Sequence, residues 1–367
     1  MTRGLVYAEP GSAPTVEEIR LDPPGPREVQ VRVEACGLCH TDLHVVETDG
    51  WGMPFPILLG HEGAGRVEEV GSEVTAVAPG DRVVVAWRAP CGSCPQCRRG
   101  DPRRCSSQLR AKRRLRRAVD GATLTPVLRC GCFAERTIVH EACAVKVPEE
   151  LPVEQSCLLA CGFSTGAGAA LWTTPVREGS SVAVIGCGGV GLAVVQGARL
   201  AGAERIVAVD VAPEKLALAD RLGATDVVDA SADDPVDRVR ALTGGDGVEF
   251  AFSAIGPAAG LAQAIRMCAY AGTATLVGVP PAAATLDVDL EEDVFAAKVT
   301  LAVTHGGDTI PQEDFPFLAE AALDGRIDLA AFVTSTISLD DVPDRLERLG
   351  RGGEIRAVAV IEALPAG

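Results

Sequence analysis

Ser181-Val182-Ala183-Val184-Ile185 runs without a break into Gly186-Cys187-Gly188-Gly189-Val190-Gly191, and few folds accommodate that junction. The apolar run predicts a strand buried on both faces. Residues 192–201 follow with a helical pattern, and a second apolar strand at 205–209 ends in Asp210. A Gly-x-Gly-x-x-Gly pattern at Gly186, Gly188 and Gly191 is weak evidence alone. Set between a strand and a helix, with an acid about 20 residues on, it has the context that a dinucleotide-binding turn requires. Such glycines, Gly189 among them, let the backbone approach a pyrophosphate at a helix N-terminus. Asp210 can accept hydrogen bonds from both adenosine ribose hydroxyls and would repel a 2′-phosphate, which favours NAD over NADP. The plainer alternative is a glycine turn in a cofactor-free α/β layer.

The βα rhythm continues downstream. Asp226–Asp229, 247–252 and 273–279 read as strands, with helices at Pro213–Leu222, Pro235–Leu242 and 258–268. This alternation predicts an α/β domain with a doubly wound parallel sheet, the Rossmann arrangement. A strand near 299–303 is expected at the sheet's edge, open to pairing with a second copy. Ahead of this region the pattern differs. Residues 29–34 alternate with period two, and 63–70, 81–86 and 133–140 also read as strands punctuated by Gly and Pro. That spacing predicts a β-rich, barrel-like domain. Residues 162–172 are rich in small side chains and read as helix. After residue 306, helices near 315–323 and 342–349 and a strand at 356–361 are expected to return to the first domain. The length of 367 residues suits two domains.

Cys39-His40-Thr41-Asp42-Leu43-His44 packs a thiol, a hydroxyl and two imidazoles into six residues. Six residues cannot enclose an ion, so partners must come from elsewhere. His61-Glu62 and Cys161 are the candidates. Cys39, His61 and Cys161 make a Cys2His set with a fourth position open, one of the known catalytic arrangements for zinc. The alternative is a pair of buried apolar cysteines and a surface histidine. Further on, Cys91, Cys94 and Cys97 recur every third residue, with Cys105 shortly after. Four thiols can surround one ion tetrahedrally, and all-Cys coordination is the structural form of zinc binding. An iron–sulfur cluster, which also uses four thiolates, ranks second.

Thirteen cysteines, with no signal-peptide core at the N-terminus, suggest metal or catalytic use in a cytoplasmic protein rather than a disulfide framework. No run of 18 or more apolar residues occurs, so no membrane span is expected. A net charge of −16 and 4% aromatic residues argue against nucleic acid as a partner. Against that acidic background, ten basic residues and one acid, Asp101, lie between Arg98 and Arg117, most densely at 112–117. A solvated surface is the simpler account. The sharper one is an electropositive rim, with Arg113, Arg114, Arg116 and Arg117 at its centre, that attracts an anionic substrate or a partner's acidic patch.

Taken together, Cys39-His40-Thr41-Asp42, Gly60-His61-Glu62, the four lobe cysteines, Cys161-Gly162-Phe163-Ser164-Thr165-Gly166 and the glycine turn resemble the zinc-dependent medium-chain alcohol dehydrogenases over essentially the whole chain. Residues 35–43, Trp87-Arg88-Ala89-Pro90-Cys91-Gly92 and Asp314-Phe315-Pro316 look closest to the class III-like formaldehyde dehydrogenases that act on thiol adducts, the mycothiol-dependent ones in particular. The chain departs from them at 108–131, unusually basic where the family lines its substrate entrance, and at 302–307.

The resemblance implies a GroES-like catalytic domain at 1–163 carrying a structural zinc lobe (91–105), an NAD-binding Rossmann domain at 164–304, and a return to the catalytic domain at 305–367. It implies NAD and two zinc ions per chain. Cys39, His61 and Cys161 match the catalytic zinc ligands, with Glu62 beside them, and Cys91, Cys94, Cys97 and Cys105 match the structural ligands. Thr41 matches the hydroxyl that takes the alcohol proton, His44 the far end of a relay to solvent, and Asp42 the partner of a ligand histidine. His40 and Arg356 match contacts to the cofactor pyrophosphate, and Lys215 a ribose contact. Thr165, Val190 and Val279 match packing around the nicotinamide, and Trp87 a substrate-pocket wall. Cys36, Cys130, Cys132, Cys143, Cys157, Cys187 and Cys268 match no metal role; most read as small buried apolar residues, while Cys130 and Cys132, flanking a glycine near the expected entrance, are expected to be open to oxidation.

The leading expectation is therefore a zinc-dependent oxidoreductase that moves a hydride between an alcohol and NAD. Its substrate is a small alcohol or aldehyde of a biosynthetic pathway, anionic in the sharper reading of the basic stretch. The second reading is a mycothiol-dependent formaldehyde dehydrogenase with nitrosothiol reductase activity. A reductase of C=N or C=C bonds on the same scaffold is a third, disfavoured because Thr41 and His44 are both present. A non-catalytic binding protein is disfavoured by the complete ligand set. The likeness further implies a homodimer.

Overall fold

Ser181–Ile185 lies at the centre of a six-stranded, wholly parallel sheet in the computed structural model, which describes residues 2–106, 109–112, 114–349 and 355–361. Along the sheet the order is Asp226–Asp229, Arg205–Asp210, Ser181–Ile185, Val248–Ser253, Cys268–Leu276 and Thr300–Val303. The first strand in sequence is thus flanked by the second on one side and the fourth on the other. That reversal of winding opens a crevice at the carboxyl ends of the strands. Val182, Ala183, Val184, Val207 and Ala208 are fully buried, as strands covered on both faces must be. Each such valine contributes about 1.5–3 kcal/mol over an exposed one.

The helices of this sheet begin and end where local chemistry directs. Pro213–Leu222 and Pro235–Leu242 carry proline in their first turn, where its missing N–H costs nothing. Asp234 caps the second helix by accepting from the N–H groups of Val236 and Asp237 at 2.9 and 3.1 Å. Gly223 ends the first in the left-handed region, at φ 118°. Two expectations shift. The helix expected at 162–172 covers Gly162–Gly168 and then widens into a π-helical turn at Ala169–Thr173. The helix expected at 258–268 stops at Met267, because Cys268 is already extended and opens the next strand. The strand Thr300–Val303 is at the sheet's edge, with Leu301 and Val303 about half exposed.

These elements form one compact unit, Gly162–Thr309 with Arg326–Asp328. The other unit comprises Met1–Cys161, Ile310–Gly325 and Leu329–Gly367. Its main sheet is organised on Glu28–Gly37, where Val29, Val31 and Val33 are fully buried and Gln30, Arg32 and Glu34 are less so. This strand pairs antiparallel with Glu62–Val70, Arg136–His140 and Ala357–Val360. A five-stranded sheet packs Thr2–Tyr7 between Thr15–Leu21 and Ile57–Leu58. No helix among the described residues is long and apolar enough to cross a membrane.

Candidate active site

Strand register brings the first cluster together. Gly37 pairs with Glu62 and Cys36 with Gly63. The chain leaves one strand at Cys39 and enters its neighbour at Glu62, so Cys39, His61 and Glu62 converge at the same end of the sheet. Cys39 is also the residue before the helix His40–Glu47. Cys161 completes the group: Cys39, His61, Glu62 and Cys161 each offer a ligand atom, and these atoms all lie within 4.8 Å of one another. His61 is fully buried, and its Nε2 has no hydrogen-bond partner among the described residues. A buried imidazole nitrogen facing two thiols and a carboxylate fits a divalent ion such as zinc.

Asp42 fixes the imidazole. Its Oδ2 lies 2.9 Å from His61 Nδ1, while its Oδ1 accepts from the Gly60 N–H at 2.8 Å. The first contact is at ion-pair distance but off hydrogen-bond geometry, so it acts through charge. Burial works against the protonated imidazole, yet Asp42 and then Cys39 raise the His61 pKa well above its ordinary value. The hydrogen bond from Cys161, helped by His61, brings the Cys39 thiol well below its usual range. Burial, followed by the charge of Cys39, lifts Glu62 to about 7 even though Arg356 opposes it.

Arg356 precedes the strand Ala357–Val360, whose Val358 pairs with Gly37. Its guanidinium is buried, donates to the Leu38 carbonyl at 2.7 Å and lies 3.4 Å from Glu62. The sequence links Arg356 to a cofactor contact and gives no sign of this pairing. Thr41 places its hydroxyl 3.7 Å from Cys39 Sγ. His44 follows three residues later on the same helix, 46% exposed, with Nδ1 3.8 Å from Glu47. His40 is exposed at the start of that helix.

The second cluster is Cys91, Cys94, Cys97 and Cys105, again with all ligand atoms within 4.8 Å. Backbone N–H groups point at the sulfurs: Ser93 and Cys94 donate to Cys91 at 3.4 and 3.2 Å, and Cys97 donates to Cys94 at 3.5 Å. The Cys97 N–H pulls Cys94 down to about 5, and the Ser93 N–H pulls Cys91 down to about 7. Burial, then Cys94, pushes Cys97 up to about 11. Four sulfurs grouped this closely suit a tetrahedral ion with no open position. Arg103 ties the lobe to the helix Pro311–Leu323 through a bidentate pair with Asp314 at 2.6 and 3.1 Å.

In the other unit, Gly186 turns the chain at φ 90° and Gly188 caps the helix Gly189–Leu200. A side chain on Gly191 would meet the Gly186 carbonyl at 1.7 Å, so only glycine fits there. Asp210 accepts from the N–H groups of Cys187, Val211 and Ala212 at 2.6, 2.8 and 3.0 Å, which fixes its carboxylate beside the turn. Thr165, Val190 and Lys215 are half-buried and Val279 is 54% exposed.

Residues 25–149 match the family model of the alcohol dehydrogenase GroES-like domain, and residues 189–323 that of the zinc-binding dehydrogenases. An S-(hydroxymethyl)glutathione dehydrogenase from Photobacterium damsela subsp. piscicida is 37% identical, over 97% of this chain and 99% of that protein. The chain belongs to the zinc-dependent medium-chain alcohol dehydrogenases. An alcohol dehydrogenase zinc-binding domain protein from Burkholderia ambifaria superposes on this dehydrogenase with a TM-score of 0.92 at 36% identity, over 98% of this chain and 99% of that one. Benzyl alcohol dehydrogenase from Acinetobacter calcoaceticus gives 0.90 at 29% identity, with the same coverage. This dehydrogenase is thus an oxidoreductase of alcohols and aldehydes built from a GroES-like and a Rossmann domain.

The basic stretch resolves differently from its expectation. Arg114 pairs with Glu28, Arg116 with Asp22, and Arg117 with Glu17 and Asp120. Those arginines are structural clamps with carboxylates of their own; Arg113 lies outside the described residues. Cys130 and Cys132, expected to be open to oxidation, are instead buried at 1% and 0% exposure within the core of the first unit.

Proposed function

We propose that this dehydrogenase transfers a hydride between a primary alcohol and NAD, with two zinc ions per chain. Cys39, His61 and Cys161 would hold the catalytic ion, with Glu62 alongside, and Cys91, Cys94, Cys97 and Cys105 the structural one. The observation that carries the reading is the buried Cys39–His61–Glu62–Cys161 cluster with Asp42 behind the histidine. Zinc bound there supplies Lewis-acid polarisation of the substrate oxygen.

The rest falls to the chain. Asp42 orients His61 and makes it a stronger donor. Thr41, its hydroxyl close to Cys39, takes the alcohol proton. His44, three residues along the same helical face and half exposed, passes the proton to solvent. Arg356 balances Glu62, so that two thiolates and a carboxylate are not buried without a cation. Asp210 receives the adenosine ribose and selects NAD. His40 and Arg356 serve the pyrophosphate, Lys215 the ribose, and Thr165, Val190 and Val279 the nicotinamide. The catalytic domain is assigned to Met1–Cys161, Ile310–Gly325 and Leu329–Gly367, and the cofactor domain to Gly162–Thr309 with Arg326–Asp328, so the boundaries expected at 163/164 and 304/305 move by two and five residues.

A second substrate reading, the hydroxymethyl adduct of a small thiol such as mycothiol, is favoured by the 37%-identical relative, an S-(hydroxymethyl)glutathione dehydrogenase. Thirteen cysteines with no disulfide among them accord with a cytoplasmic protein. The edge strand Thr300–Val303, with Leu301 and Val303 exposed, suits a homodimer.

The deciding experiment follows NADH formation from primary alcohols, and from formaldehyde with and without mycothiol, in wild type and in Cys39→Ser. Turnover of an alcohol by wild type and its loss in the folded variant support the reading. Undiminished turnover in Cys39→Ser removes Cys39 from the site. Activity that appears only with the thiol selects the adduct. Asp210→Gly should erode the preference for NAD over NADP, and an unaltered preference would remove Asp210 as its source.

A further inference from the structure

Three of the four lobe sulfurs are placed by local structure. Cys91, Cys94 and Cys97 lie within seven residues, and the N–H groups of Ser93, Cys94 and Cys97 turn toward the first two sulfurs. The short helix Pro95–Arg98 then sets the third. Cys105 is different. It returns only after the arm 98–104, whose sequence Arg-Arg-Gly-Asp-Pro-Arg-Arg holds four arginines and one acid. Like charges packed so closely repel and favour an open arm. Yet the arm is folded back. Cys105 is only 9% exposed, and its Sγ accepts from the Cys91 N–H at 3.3 Å and lies 3.8 Å from Cys94 Sγ.

Residues outside the four-cysteine segment grip this arm at its end. Arg88, three residues before Cys91, is 8% exposed and directs Nη2 at the carbonyl oxygens of Arg103 and Cys105, at 3.2 and 3.5 Å. That nitrogen carries two N–H donors, one for each carbonyl. The guanidinium carbon lies 5.8 Å from the centre of the Trp87 ring, a contact that orients the planar group. Arg103 is held in turn by its bidentate pair with Asp314. Asp314 is itself fixed, because its Oδ2 also accepts from the Ile310 N–H at 2.6 Å. The fourth ligand is therefore gripped through its own carbonyl and through both the carbonyl and the side chain of Arg103. Charge favours the arrangement when the lobe is filled. Four thiolates outweigh the charge of a divalent ion, so the loaded lobe is a net anion among these arginines.

We propose that Arg88 and Arg103 are positioning residues for the lobe's metal, which bring Cys105 to the ion and complete a four-sulfur site where local structure alone supplies three. Groups that orient a ligand from behind contribute about 10–100-fold in metal affinity. The planar fork of arginine suits the task, since lysine cannot span fixed acceptors in the same way. The proposal rests on the reading that the lobe holds a zinc ion, and it names the residues that keep the ion there.

The test follows zinc leaving the loaded full chain in excess chromogenic chelator. Two release phases are expected, and the one missing in Cys97→Ser belongs to the lobe. In Arg88→Gln that phase should run at least about tenfold faster, while the other keeps its rate. Arg103→Gln should speed the same phase, and Arg88→Lys should recover part of the loss. Cobalt(II) in place of zinc reports the ligands. The sulfur-to-cobalt absorption of the lobe, taken as the difference from Cys97→Ser, should fall by about a quarter in Arg88→Gln as one sulfur in four is lost. Weaker packing alone would lower the melting temperature and leave that absorption as it is. Lobe release and cobalt absorption unchanged in Arg88→Gln overturn the proposal and leave the lobe ion standing. Should Arg88→Gln not fold, Arg103→Gln decides on the same two readouts. A wild type from which Cys97→Ser removes no phase holds no lobe ion, and that result overturns the zinc reading and the proposal together.

Discussion

Replacing Gly191 with alanine tests the nucleotide turn through a single methyl group. That methyl would be placed 1.7 Å from the Gly186 carbonyl oxygen. Ordinary contact is roughly 3.5 Å, so about 1.8 Å of movement is needed. The oxygen belongs to the rigid peptide whose N–H is that of Cys187, and this N–H donates to Asp210 at 2.6 Å. The carbonyl cannot retreat without turning that donor away from the carboxylate. A hydrogen bond to a charged group is worth about 1.5–3 kcal/mol, and forced overpacking costs about the same again at most. The hydrogen-bond loss alone should lower the melting temperature by roughly 3–12 °C in a unit of this size. Affinity for NADH should fall at least tenfold with it, because Asp210 loses its orientation. Gly188 is the control, since a side chain there meets nothing within 4 Å and its φ is −77°. Thermal melts and NADH fluorescence titrations of Gly191→Ala and Gly188→Ala measure both effects. A Gly191→Ala protein that melts with wild type and binds NADH normally would refute the coupling of turn to carboxylate.

Asp42→Asn removes the charge facing His61 but keeps an acceptor for the Gly60 N–H, so competition with a chelator should show catalytic zinc held about 10–100-fold more weakly. Cys97→Ser should reduce zinc from two equivalents to one per chain by elemental analysis and destabilise the 91–105 lobe. Glu28 is buried and accepts from the Gly25 and Lys112 N–H groups at 2.7 and 2.6 Å as well as from Arg114. Burial raises its pKa, but these donors outweigh that and hold it below the ordinary value. The stability it confers is therefore present above pH about 4.5 and is lost as pH falls through the lower folded value. Glu28→Gln should cost about 2–3 kcal/mol in urea unfolding at pH 7, and the deficit should shrink below pH about 4. A deficit independent of pH would show that the carboxylate's charge is not its source.

Local sequence carries the parts of the molecule whose determinants are local. The strand–glycine–helix junction at 181–191 is legible because periodicity switches at the glycines themselves. The cysteine lobe is legible because its ligands lie within one loop. Elsewhere the determinants are distributed. Ile57–Leu58 and Thr125–Pro126 are too short to show any period, so the five-stranded sheet they join leaves no pattern. The pairing of Arg356 with Glu62 depends on strand register, which no short window contains. In the 98–117 stretch, charge density was visible but pairing was not. The carboxylates that occupy Arg114, Arg116 and Arg117 come from Glu28, Asp22 and Glu17, far upstream.

The strand Ala357–Val360 sits inside the main sheet of the first unit, between Glu28–Gly37 and Ser335–Ile337. During synthesis the ribosome delivers it after nearly all of its neighbours. Until then Ala35, Cys36 and Gly37 are open on one side, and buried Glu62 lacks the guanidinium of Arg356. The Rossmann strands, contiguous between residues 181 and 303, have no such wait. A nascent chain stalled before residue 356 would thus carry a finished cofactor domain beside a catalytic sheet exposed to mispairing. Chaperone demand in this enzyme should concentrate on the interval before the strand Ala357–Val360 is delivered.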